Sequence, residues 1–353
     1  MTIIHDLIRE GRKLKILKRS AEEAKKPAAL RVGNTGCLVD KGDEDIVFGE
    51  CPRKAHIRHL GVELHADATT HEIFDEGITN EDIVKDLFAD GLEAMGNPYV
   101  MKQEEEIPVS WATSTGALVT GRPDFVFLKD DKPQFMVELK KKVGFYGVRN
   151  STYECKPDTK HLCQAAHYSW QLGMIPCYLV YRSGTLYHLD SEVRKSTIEN
   201  SGITRALEYK GGQRRPTAIL PHYTIYELTW EGEGEEANLC YKSEDMPEVA
   251  RTIITPAGIR SFYEATAGLA QHKHLGPRPT TKSPIGGKAT YSQCSYCELK
   301  ETCDSYESDY DAWLDHVKIK ASELAAWLTS SNNQTKGKEN ESRKGKVSKQ
   351  KGK

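Results

Sequence analysis

Residues 118–142 read LVTGRPDFVFLKDDKPQFMVELKKK. Two β-rich apolar runs, over 117–128 and 134–139, flank Lys129-Asp130-Asp131-Lys132-Pro133, whose residues are those of a turn. The stretch therefore predicts a β-hairpin. With the turn centred on Asp131, paired positions sum to 262, which sets Asp124 directly opposite Glu138 with both side chains on one face. Like charges this close destabilise a sheet unless a cation neutralises them, and carboxylate oxygens at a strand end suit Mg²⁺ or Mn²⁺. Lys140 shares the face. An ammonium there can hold or help deprotonate a water, or stabilise the charge that develops on a phosphate. The chemistry so predicted is phosphodiester hydrolysis. Solvated hairpin charges are the alternative, because Asp followed fourteen residues later by Glu-x-Lys also arises by chance.

Upstream, Ile83, Val84, Leu87, Phe88 and Leu92 form an apolar stripe behind Asn80, a residue that can cap, so a helix is expected over 80–95. Residues 99–109 and 117–128 read as strands. Downstream, Pro157-Asp158-Thr159 opens a helix to about 173, and 176–182 is a β-rich run typical of a buried strand. The resulting order, α-β-β-β-α-β, predicts an α/β fold around a central mixed sheet. Beyond it a strand is expected over 220–230 and helices over 247–272 and 309–328. On the helix after the hairpin, Gln164 and Tyr168 stand four apart and share a face, which His161 and Gln171 extend.

Nine cysteines, without the dense spacing of a secreted scaffold, read as reduced thiols plus a metal site. Cys155, Cys163, Cys177 and Cys240 read as buried small hydrophobes. Cys51 stands alone before the hairpin, whereas Cys294, Cys297 and Cys303 crowd together after it. Such a set can close a very long loop when the metal is structural, because loop-closure entropy rises slowly with length. Four thiolates suit zinc, although zinc more often pairs two short Cys-x-x-Cys knuckles. Cys51-Pro52 is a helix start, which puts the thiolate where backbone N–H groups favour negative charge.

With 38% hydrophobic residues in a chain of 353, a packed core is expected. No signal peptide or membrane span is legible, so the expected place is the cytoplasm. The net charge of −2 is segregated: residues 331–353 carry +6, leaving −8 on the rest. That tail has nothing apolar to bury and is expected to be disordered, serving as a nonspecific phosphate-binding arm or a solubilising appendage. Residues 1–31 hold nine Lys/Arg against four Asp/Glu, and Ile3, Ile4, Leu7, Leu14 and Leu17 suggest an amphipathic helix. Further basic features that could meet phosphates are Arg53, Lys54 and Arg58 after Cys51, and Lys141 and Lys142 after the hairpin. In 143–156, Tyr146 and Arg149 mix an aromatic with a cation and could form a stacking platform for single-stranded DNA. Gly276 to Ser283, GPRPTTKS, lacks the second glycine of a phosphate-binding loop.

Pro123-Asp124, Glu138-Leu139-Lys140 and Gln164-Ala165-Ala166-His167-Tyr168 together resemble the PD-(D/E)XK nuclease superfamily, in particular RecB-like exonucleases and their CRISPR-associated relatives. The resemblance spans about 49–303. It implies a restriction-endonuclease-like core and a metal-dependent DNA exonuclease with Asp124, Glu138, Lys140, Gln164 and Tyr168 in the catalytic site. Gln164 and Tyr168 would help position the DNA strand and the lysine. The metal site so implied comprises Glu81, Asp124, Glu138 and Leu139. Glu81 stands in for a histidine that relatives usually carry in the helix before the hairpin, and His71 is a weaker alternative. Iron–sulfur members place one cysteine before the core and three after it, which implies a [4Fe-4S] cluster on Cys51, Cys294, Cys297 and Cys303. The expected domains are a basic lead-in over 1–48, a nuclease domain over 49–330 and the tail. With no helicase motor in the sequence, a helicase or integrase-type partner would supply accessible strands or ends.

Overall fold

A computed structural model of the chain describes residues 29–323 apart from 41, 43–44, 63–67, 104–105, 143–154, 184–222, 245, 247, 281–293, 295–296 and 298, and of 68–80 it describes the backbone. The expected N-terminal helix, the segment with Tyr146 and Arg149, and the basic tail lie outside the described residues.

The fold is mixed α/β, with a large mixed sheet flanked by helices. In chain order its strands are β1 (Leu30–Arg31), β2 (Gly36–Asp40), β3 (Asp45–Gly49), β4 (Val100–Gln103), β5 (Val109–Ala112), β6 (Leu118–Gly121), β7 (Phe125–Lys129), β8 (Lys132–Lys142), β9 (Cys177–Ser183), β10 (Tyr223–Glu231), β11 (Asn238–Lys242) and β12 (Ala250–Arg251). The helices are α1 (Pro52–His59), α2 (Ala68–Ala94), α3 (Thr159–Gln171), α4 (Pro256–His272) and α5 (Lys300–Ser305), followed by helical residues 310–323. The seven-stranded sheet runs β12-β11-β10-β9-β8-β7-β4, antiparallel except for the parallel pair β8–β9, which α3 connects. A small sheet, β1-β6-β5, and the hairpin β2-β3 complete the β structure of the described residues.

β7 and β8 form the predicted hairpin. Its turn is Asp130-Asp131, with φ of 52° and 60°, the left-handed pair that a two-residue type I′ turn requires. Paired positions sum to 261 beside this turn, as in Leu128↔Pro133, and to 262 from Phe127↔Phe135 onward. The turn thus sits half a residue earlier than the sequence suggests, and the extra residue Gln134, a β-bulge, makes up the difference. Beyond Phe127 the register is the predicted one.

Alternation along the hairpin serves two cores. Phe125, Phe127, Val137 and Leu139 pack with Val84 of α2, and the Phe88 ring meets Phe125 edge-on at 5.4 Å. Val126 and Met136 face the other way, into a larger core with Leu162, Cys163, Ala165, Ala166 and Tyr168 of α3. The sheet is thereby held between α2 and α3. Asp158 caps α3 by accepting the Lys160 N–H at 2.9 Å.

Several expectations are corrected. Within the expected lead-in, Leu30, Val32, Cys37, Val47 and Phe48 belong to the larger core. A Cβ on Gly36 would stand 2.5 Å from the Phe262 ring, so glycine lets β2 lie directly on α4. The helix expected over 80–95 begins at Ala68, so Asn80 lies inside α2 and is not its cap. The strands expected over 99–109 and 117–128 each divide, with β5 and β6 leaving for the small sheet. The helix expected from 247 starts at Pro256, capped by Thr255, which accepts the Gly258 N–H at 3.0 Å. Cys163, Cys177 and Cys240 are buried as expected, together with Cys37, whereas Cys155 is half-buried.

A further cluster joins the two ends of the described chain. Ile57 of α1 packs with Leu269 and Leu275, with Leu299, and with Tyr310, Trp313 and Val317 of the last helix. His56 ties them by its ring, with Nδ1 2.9 Å from the Thr266 carbonyl and Nε2 2.8 Å from the Tyr310 hydroxyl. Among the described residues no helix is long and apolar enough to cross a membrane.

Candidate active site

Asp124 immediately precedes β7, and the register that pairs Phe125 with Val137 continues to Asp124 opposite Glu138. Oδ2 of Asp124 accepts the Leu139 backbone N–H at 2.6 Å. Glu138 is fully buried. Its Oε1 accepts from Lys140 Nζ at 2.5 Å, while Oε2 has no hydrogen-bond partner. Burial, and then the charge of Asp124, push the Glu138 carboxyl up to about 8 against the pull of Lys140. Burial acts on Lys140 in the opposite sense, but Glu138, Asp124 and Glu81 outweigh it and hold the ammonium above the ordinary lysine value.

One ammonium thus serves two converging carboxylates. A buried oxygen without a donor beside a second carboxylate is an arrangement a hard divalent cation satisfies, so Asp124 and Glu138 fit Mg²⁺ or Mn²⁺. The side chain of Leu139 is buried in the core under α2, which leaves its backbone as the part that can serve a metal. Glu81 of α2 is half-buried, and its charge acts on both Glu138 and Lys140. Among the described residues no three His, Cys, Asp or Glu side chains converge as a metal-holding group. His71 lies on α2, where its side chain is outside the described residues.

α3 lays its polar face against this pair. The Tyr168 hydroxyl accepts the Arg122 backbone N–H at 3.1 Å and is hydrogen-bonded to the Gln164 side chain. Burial, reinforced by Glu138 and Asp124, raises the phenol well above its ordinary value, so it stays protonated. A Cβ on Gly121 would stand 2.7 Å from the Tyr168 ring, so the glycine of Gly121-Arg122-Pro123-Asp124 admits the tyrosine to the site.

The basic residues divide. Lys142 shares the face of Lys140, whereas Lys141 lies on the opposite face of β8. Arg53 is buried, and its guanidinium donates to the carbonyls of Leu275 at 3.1 Å and Gly276 at 2.9 Å. The expected phosphate contact is corrected: Arg53 anchors α1 to the chain after α4. Lys54 is half-buried, and Arg58 pairs with Glu50 at 3.7 Å. Residues 276–280 run beside β3, where Thr280 N–H donates to the Val47 carbonyl at 2.8 Å, so this stretch is no phosphate loop.

Cys51 caps α1, with Pro52 in the first turn, as the sequence predicts. Burial raises its thiol to about 12, against hydrogen bonds from the backbone at Lys54 and Arg53, and the charge of Cys294 reaches it. Cys297 and Cys303 pack on the cluster that includes Ile57 of α1. The four cysteines therefore gather at one end of the molecule, though not as a finished cage among the described residues.

Sequence reasoning missed three polar residues. Glu50 is buried and accepts from the Cys51 N–H at 3.0 Å and from Lys160 Nζ at 2.5 Å, joining the cysteine end to α3. Asp158 and Tyr181 stand beside Lys142, and nothing in the sequence of β9 sets Tyr181 apart from Tyr178.

Comparison with protein-family models finds none that matches the chain, and comparison with curated proteins finds no match either. A solved structure described as "Crystal structure of SSO0001" aligns over 85% of this chain and 97% of that one, with 16% identity and a TM-score of 0.34.

Proposed function

We propose that the chain is a metal-dependent DNA exonuclease with a restriction-endonuclease-like core, acting on single-stranded DNA or DNA ends in repair, recombination or CRISPR spacer acquisition. The supporting observation is the buried, donorless Oε2 of Glu138 beside Asp124. Asp124 and Glu138 would hold a divalent ion. When bound, such an ion stabilises charge on a phosphate and lowers the pKa of a water. Lys140 keeps its ammonium at Glu138, where it can hold a water or meet the charge that develops on a phosphate oxygen. Tyr168, protonated and bonded to Gln164, positions the strand from α3.

The cysteine end fits a [4Fe-4S] cluster in its donor chemistry: four thiols, with Cys51 at the N-terminus of α1, where the backbone at Lys54 and Arg53 works against the burial that keeps the thiol protonated. In this reading the cluster is a structural staple, the protein works in the cytoplasm, and a helicase or integrase-type partner delivers the ends.

End-labelled single- and double-stranded DNA, incubated with Mg²⁺ or Mn²⁺ and resolved by product length, tests the activity. The expected result is progressive shortening that disappears in Asp124→Ala and Glu138→Ala. Full cleavage by the Glu138→Ala protein would overturn the assignment. Iron and acid-labile sulfide in anaerobically purified protein support the cluster, and stoichiometric zinc without iron replaces it.

A further inference from the structure

Two positions beyond Lys140, the same face of β8 carries Lys142. Every second side chain along a strand lies about 6.6 Å from the last, a step close to that between successive phosphates of an extended nucleic-acid strand. The Lys142 side chain is 19% exposed. Its Nζ lies 4.9 Å from the centroid of the Tyr181 ring. Among the described residues its carboxylate partner is Asp158, at 3.8 Å, longer than a hydrogen bond. It is Oδ2 of Asp158 that faces Lys142, while Oδ1 caps α3. Lys142 is therefore an ammonium largely withdrawn from water and fixed over a ring, with a loosely held carboxylate partner among the described residues. In keeping with this, burial draws its pKa below the ordinary lysine value.

His161 stands beside it on α3. The Tyr181 hydroxyl accepts the Asp158 N–H at 3.0 Å and lies 3.1 Å from His161 Nδ1. Among the described residues Nδ1 is the acceptor within reach of this buried hydroxyl's own hydrogen, so the hydroxyl donates to it and the imidazole proton sits on Nε2. No described residue accepts from that Nε2–H. The ring is also neutral: burial, with Lys140, Lys142 and Lys160 against the opposite pull of Asp158, holds it down to about 3. The place thus offers a half-buried ammonium and a neutral N–H donor, with Lys140 and Lys160 adding positive charge and Asp158 opposing them.

We propose that Lys142 and His161, backed by Tyr181, form a subsite for a backbone phosphate next to the one the carboxylates act on. The subsite sets the strand's register without regard to sequence. It rests on the nuclease reading above and names the part of the substrate that this reading leaves open.

The test is binding of a short labelled single-stranded oligonucleotide, with Ca²⁺ to prevent cleavage, to the full chain and to Lys142→Met, Lys142→Arg, His161→Gln and His161→Phe. Unfolding temperatures are measured alongside. Lys142→Met and His161→Phe are expected to weaken binding about tenfold, the loss of one charge-assisted or strained phosphate contact. Lys142→Met alone should also lower the salt slope by about one unit, because His161 is neutral. Lys142→Arg keeps the slope, and His161→Gln, which keeps an N–H donor, keeps most of the affinity. A neutral methylphosphonate placed at each linkage in turn should mimic Lys142→Met at one linkage adjacent to the cut and add nothing to that variant there. In the cleavage assay Lys142→Met should raise KM more than it lowers kcat. Losses that add at every linkage, or an unchanged salt slope, would overturn the subsite. If the wild-type chain cuts no DNA but the linkage result holds, the nuclease reading falls and the subsite stands.

Discussion

Lys140 keeps its ammonium 2.5 Å from an oxygen of Glu138, a side chain with no solvent exposure. Removing the ammonium would leave two neighbouring carboxylates facing each other in a low-dielectric place, and breaking a buried pair this way costs about 3 kcal/mol or more. Lys140→Met is therefore expected to lower the unfolding temperature strongly in chelator, and Mn²⁺ should restore much of the loss without restoring cleavage. Equal stability with and without Mn²⁺ would show that the carboxylates do not share a cation. Asp124, Glu138 and Lys140 were legible in the sequence because strand alternation fixes their common face before any tertiary contact is known. Arg53 was not. A basic run after Cys51 has the pattern of a solvated or phosphate-facing surface, and only the carbonyls of Leu275 and Gly276, more than two hundred residues away, reveal that its guanidinium is internal.

At the scale of elements, the β7–β8 turn places two aspartates in the left-handed region, where glycine and asparagine are more at ease. The double change Asp130→Asn and Asp131→Gly is expected to raise stability by roughly 0.5–1 kcal/mol, read from the thermal or urea transition, with cleavage unchanged because Asp124 and Glu138 keep their register. A loss of stability would mean that the turn is not type I′. The hairpin was legible because turn chemistry and alternation agree within twenty-five residues. α2 was read twelve residues short because Asn80 imitates a cap and Gly77 with Thr69, Thr70 and Thr79 lowers helix propensity. β5 and β6 could not be told from continuations of their neighbours, since leaving one sheet for another is decided by partners distant in sequence. The face of α3 that carries Gln164 and Tyr168 was legible from spacing. Its contact with Glu50 was not, because a lone acidic residue before Cys51 has no periodicity to betray burial.

Across the whole molecule, buried histidines set a pH response. His167, with no exposure, receives the Trp111 Nε1–H on Nε2 at 3.1 Å, and its Nδ1 has no partner. Burial holds it down to about 3, and burial, offset in part by the Thr266 carbonyl, holds His56 down to about 4. Both are neutral when folded, whereas in the unfolded chain they take up protons near their ordinary value of 6.5. The unfolded state therefore binds more protons below that value, and the stability these groups contribute is complete above about 6.5 and lost as pH falls towards 4. The unfolding temperature should decline over that window. His167→Phe, sitting among Trp111, Trp170 and Tyr263, should flatten the decline while costing about 1 kcal/mol at neutral pH for the orphaned indole N–H. A slope unchanged by that substitution would assign the acid response to other groups. The anchoring of α1 has a consequence in time. Its buried Arg53 waits for carbonyls 222 and 223 residues downstream, and His56 for a hydroxyl 254 residues downstream. On a ribosome this helix can meet β1 early, but the polar anchors of Arg53 and His56 are missing until nearly all the described chain has been made. The completion of its docking belongs to the last act of synthesis, and a nascent protein halted before Tyr310 carries a half-docked α1 for chaperones to hold.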